Sequence, residues 1–78
     1  METKFLEAFK ETLEREDEIN LTDEFRKYPE WDSLAYLSVI AMLDEEYGVQ
    51  IELEDFRKQI TVEALMNEVF TRSGNSRE

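Results

Sequence analysis

Residues 31–48 read WDSLAYLSVIAMLDEEYG, and this stretch decides the fold. Asp32 is a good N-cap, because its side-chain oxygen can accept one of the N–H groups left open at a helix start. That places Ser33 at the first helical position. Gly48 can take the left-handed backbone that ends a helix. Neither glycine nor proline interrupts the run between them, so the pattern predicts a helix from Ser33 to Tyr47. On a wheel at about 100° per residue, Tyr36, Val39, Ile40, Leu43 and Tyr47 form one core stripe. Leu34, Leu37 and Ala41 form a second stripe about 120° away, extended by Asp44 and flanked by Glu45 and Glu46. A helix packed on one side has no use for the second stripe. Either a small bundle buries both, or the second is an apolar patch with a carboxylate rim that docks a partner.

Working outward, residues 2–16 read as a first amphipathic helix with Phe5, Leu6, Phe9, Thr12 and Leu13 on one stripe. Residues 17–32 show no sustained period and read as a long loop, pinned by Ile19, Leu21, Phe25, Tyr28 and Trp31. Beyond Gly48, a short turn of helix near Glu54 to Arg57 carries Phe56. Thr61 can then cap a last helix with Val62, Leu65, Met66, Val69 and Phe70. The expectation is an all-α, small four-helix bundle, three main helices plus one short one. One domain is expected over residues 1–72, followed by a disordered tail over 73–78.

Composition removes whole classes of function. The 78 residues hold no Cys and no His, which excludes thiolate zinc sites, thiol nucleophiles and a Ser–His–Asp hydrolase. The net charge of −11 opposes nucleic-acid binding, which needs Lys and Arg to release counterions. No run of about 18 apolar residues exists, so no membrane span is expected. The opening METKFLEAFKETLERE carries charges throughout, unlike a secretory signal, and a cytoplasmic location is expected. No metal site is expected either: a calcium loop started at Asp17 would put Ile19 and Leu21 where oxygen ligands belong. Charge is also segregated. Between Lys27 and Arg57 lie eight acidic side chains, Glu30, Asp32, Asp44, Glu45, Glu46, Glu52, Glu54 and Asp55, and no basic one. Such a field steers basic partners toward the helix that carries the second stripe.

Taken together, W-D-S-L at residues 31–34, the Leu/Val/Ile-rich helix, D-E-E at 44–46, Y-G-V-Q-I at 47–51 and I-T-V-E-A-L at 60–65 resemble an acyl carrier protein over nearly the whole chain. The resemblance implies that Ser33 is modified by 4′-phosphopantetheine, delivered from coenzyme A by a phosphopantetheinyl transferase. The arm's thiol would hold acyl intermediates as thioesters for synthase enzymes with basic docking patches. The protein would then be a monomeric shuttle in fatty-acid, polyketide or related specialised biosynthesis, a dedicated lipid or aminoacyl pathway included, and not an enzyme. Carried over position by position, Asp32 stands beside the modified serine. Leu34, Leu37 and Ala41 would be the apolar contacts for partners, and Asp44 and Glu45 the carboxylates, the same stripe the wheel names.

The sequence departs from the family pattern at Trp31, where a small residue is usual, and at Ala35 and Ser38, where housekeeping fatty-acid carriers often have acidic residues. These departures favour a specialised pathway. Phe5, Ile40, Leu43, Ile51 and Leu65 suit either a plain core or a crevice for the acyl chain. The competing reading is an unmodified acidic helical module that binds a basic protein.

Overall fold

The computed structural model describes residues 2–73. Helix α1 (Glu2–Leu13) is joined to α2 (Ser33–Tyr47) by a connection containing one 3₁₀ turn at Phe25–Lys27; the short α3 (Leu53–Arg57) and α4 (Val62–Ser73) follow. The described residues contain no strand, so the architecture is all-helical with three longer helices and one short one. Ser73 is the last residue of α4, and the rest of the expected tail, residues 74–78, lies outside the described residues.

Helix α2 has the predicted ends. Asp32 Oδ1 accepts the Ala35 N–H at 2.8 Å. At the other end Gly48 sits at φ 63°, and the Gly48 and Val49 N–H groups donate to the Asp44 and Leu43 carbonyls. The left-handed turn is why glycine belongs there. Helix α4 starts on Thr61, whose Oγ1 accepts the Ala64 N–H at 3.1 Å. The next open donors, Val62 and Glu63 N–H, go to the Asp23 and Leu21 carbonyls at 2.9 Å each. The α1–α2 connection therefore caps α4, satisfying groups that a buried helix start cannot leave open.

Helix α1 ends three residues earlier than the sequence suggests. Glu14 adopts φ 54°, its N–H donates to Glu11 O, and the Arg15 N–H reaches back to Lys10 O. This is the glycine-type helix stop built on a glutamate, at a cost of about 1–2 kcal/mol for an L-residue in that conformation. Arg15 then leaves the helix to pair with Glu30 at 2.8 Å and to lie 3.8 Å over the Tyr28 ring. Tyr28 in turn donates its hydroxyl to Asp23 Oδ2 at 2.7 Å. That bond holds the Asp23 carboxyl below its usual range. Burial, followed by the same bond, pushes the Tyr28 hydroxyl well above its ordinary value.

The core side of α2 differs from the wheel. Ala35, Val39, Met42 and Leu43 are buried, whereas Tyr36, Ile40 and Tyr47 are half-buried at its edge. The buried face is thus turned by roughly 70°, at about 100° per residue, from the expected stripe. Of the expected loop anchors, Ile19, Phe25 and Tyr28 are buried, while Leu21 and Trp31 pack partly against the core. Aromatic rings run through the interior. Phe70 meets Phe5, Phe5 stacks on Phe9, and Phe9 meets Phe25 edge-on, each pair 5.7–5.9 Å apart. Phe25 then meets Phe56 at 5.7 Å. Phe5, Phe9, Phe25 and Phe56 are at most 1% exposed. Burying each stabilises the fold by about 1.5–3 kcal/mol.

Glu14→Gly should relieve the strained turn. We expect a stability gain of about 0.5–1 kcal/mol in urea denaturation, because glycine's entropy cost offsets part of the strain. No gain, or a loss, would show that Glu14 is held there by more than its backbone.

Candidate functional site

Ser33 is exposed and is the first residue of α2. Among the described residues its hydroxyl makes no hydrogen bond. Asp32, immediately before it, is occupied on both sides. Its carboxylate accepts from Ala35 and its carbonyl accepts the Tyr36 N–H at 2.9 Å. Asp32 is therefore the group that fixes where the helix begins, and Ser33 is left free at the junction. The N–H groups and dipole of the helix start favour a negative group on that oxygen by about 0.3–1 kcal/mol.

Beside Ser33 lies an open concavity of about 350 Å³. Trp31, Tyr36, Leu53 and Phe56 give it an apolar wall, and Arg26 and Arg57 give it positive charge. The wall is ordered by ring contacts. Trp31 stacks on Phe56 at 6.1 Å and 9°, and it meets Phe25 at 5.0 Å. Tyr36 meets Phe56 edge-on at 5.1 Å. Phe56 thus ties the core to the site. Arg26 is anchored behind it, donating to the Phe56 and Gln59 carbonyls at 2.7 and 2.8 Å. Burial, and then the nearby Arg57 charge, lowers the Arg26 pKa. A free primary hydroxyl, an apolar wall and two cations suit an attached group that has an anionic root and a largely uncharged chain.

The second stripe of α2 is on the surface. Leu34 is 73% exposed and Leu37 59% exposed. Ala41, Asp44 and Glu45 are exposed as well. Leu37, Ala41 and Asp44 border a groove of about 640 Å³ that continues onto Ile51, Glu52 and Asp55. Ile40 and Ile51 line that groove, whereas Phe5, Leu43 and Leu65 are sealed in the core. No helix among the described residues is long and apolar enough to cross a membrane.

Sequence reasoning placed Trp31, Asp32 and Ser33 together but missed Arg26, Leu53, Phe56 and Arg57 as their neighbours. The one available signal was Arg57, the first cation after the acidic run.

A family model described as a phosphopantetheine attachment site matches residues 3–69, from α1 into α4. Neither a curated protein nor a solved structure gives a significant match.

The cap can be separated from the charge. Asp32→Ala should cost about 1 kcal/mol of stability in urea denaturation, while Asp32→Asn should retain most of it, since the amide oxygen can still accept. Equal losses in the two variants would contradict the capping role.

Proposed function

Because the chain belongs to the phosphopantetheine attachment-site family, whose members carry covalently attached 4′-phosphopantetheine, we propose that it is an acyl carrier protein with Ser33 as the attachment residue. The observation that carries this reading is the Ser33 hydroxyl, exposed and free of hydrogen bonds at the start of α2, within the matched span. When attached, the arm supplies the terminal thiol that holds acyl groups as thioesters, chemistry this Cys-free chain lacks. The chain's own residues do the rest. Asp32 sets the helix start, so that Ser33 is presented at a junction a phosphopantetheinyl transferase can enter. The protein is a carrier and not a catalyst, monomeric and cytoplasmic.

Leu34, Leu37 and Ala41 are the apolar contacts for partner enzymes, and Asp44 and Glu45 steer them through basic docking patches. Exposed leucines at 73% and 59% beside carboxylates support that face. Pathway is read from the site's neighbours. Trp31 adds a large ring beside Ser33. Ala35 is buried, so a carboxylate at that position would lose its water. Both features favour a specialised acyl, polyketide or aminoacyl pathway over housekeeping fatty-acid synthesis.

Incubation with coenzyme A, Mg²⁺ and a promiscuous transferase should raise the intact mass by one phosphopantetheine, and Ser33→Ala should abolish the rise. A wild-type mass unchanged with every transferase tried would favour an unmodified acidic interaction module.

The docking face has its own test. Asp44→Lys combined with Glu45→Lys should slow loading by a partner enzyme, more at low salt than at high salt. Unchanged rates at low ionic strength would remove the face from the account.

A further inference from the structure

In a chain with 20 acidic and 9 basic residues, a guanidinium without a partner stands out. Three of the four described arginines are engaged. Arg15 pairs with Glu30 and lies over Tyr28. Arg26 donates to the Phe56 and Gln59 carbonyls. Arg72 binds Glu68, Asp55 and the Gln50 carbonyl. Arg57 differs. Among the described residues it has no hydrogen bond and no ion pair, although Glu54 stands three positions earlier on the same helix. It lines the concavity that holds Ser33.

Arg26 lines the same concavity and is tied back by one N–H from each of Nη1 and Nη2, given to the Gln59 and Phe56 carbonyls. Two guanidiniums at one small site repel each other, an arrangement that an anion between them relieves. Asp32 lines the concavity as well, but its Oδ1 already accepts the Ala35 N–H and it pairs with neither guanidinium; a second anion there would be one bonded to Ser33 itself. A phosphodiester keeps one negative charge at physiological pH and offers two free oxygens. That geometry suits the two-pronged guanidinium better than a lysine ammonium.

We infer that Arg57 pairs with the phosphodiester of the arm on Ser33, holding the root of the arm against the wall formed by Trp31 and Phe56. The inference rests on the carrier reading. It gives the arm a fixed origin from which its far end swings. It also has a structural consequence. Arg57 is the last residue of α3, a helix of five residues, and Ser33 is the first of α2. The bond therefore staples α3 to the start of α2 in the modified protein.

The test compares full-length protein before and after modification, with conversion verified by intact mass for the wild type, Arg57→Gln and Arg57→Lys. In low salt the modified wild type should melt a few degrees above the unmodified form. Arg57→Gln should lose that difference, Arg57→Lys should keep only part of it, and added salt should shrink it. In the wild type the Arg57 Nε–H resonance should move on modification, and its exchange with water should slow several-fold. Full mass conversion with the same melting difference in wild type and Arg57→Gln, or an unmoved Arg57 resonance, overturns the pairing and leaves the carrier reading intact. No mass gain in the wild type overturns both.

Discussion

The hydrogen bond from the Ala35 N–H to Asp32 Oδ1, 2.8 Å long, is the constraint on which the site depends. It sets the residue at which α2 begins. With the start fixed, the helical period turns Ala35, Val39, Met42 and Leu43 inward and leaves Leu34, Leu37 and Ala41 outside. A start one residue later would leave Ser33 on the connection and outside the helix, while the burial of Val39 and Leu43 keeps the rest of α2 in place. One short contact thus sets where the hydroxyl is presented, and the buried residues of α2 set the face shown to partners.

A second feature makes that geometry rigid. The ring-to-ring contacts from Phe70 through Phe5, Phe9 and Phe25 reach Phe56, and Phe56 touches both Trp31 and Tyr36. The residue two positions before Ser33 and the residue three positions after it are therefore held by the same core ring. Arg15 adds a tether from the other side through Glu30, in a contact where its side chain is only 12% exposed and weakly screened. The junction is mounted on the core, while the hydroxyl itself faces water.

Much of this was legible in the sequence because it is local. Asp32, Gly48 and Thr61 act on groups within a few residues, so the ends of α2 and the start of α4 follow from residue type. The end of α1 did not, because Glu14 takes a backbone conformation that its side chain disfavours. The turn at Phe25–Lys27 escaped for another reason: it carries a single buried ring and is held by partners distant in the chain, Phe56 and Gln59 through Arg26. The inward face of α2 was misplaced because the aromatic Tyr36 and Tyr47 outweigh the small Ala35 in a hydrophobic pattern and Met42 was assigned to neither stripe, yet Ala35 and Met42 are the buried ones. Ser33 and Asp32 were visible in their motif. Arg26 and Arg57 were not, since only the folding of α3 against the connection brings them to the serine.

The most direct measurement is fragmentation mass spectrometry of the protein isolated from its own cells. The account predicts a phosphopantetheine on the peptide spanning residues 31–37, localised to Ser33, with the exposed mid-helix Ser38 unmodified. The group on Ser38 or any other residue, or a native protein carrying none, would contradict it.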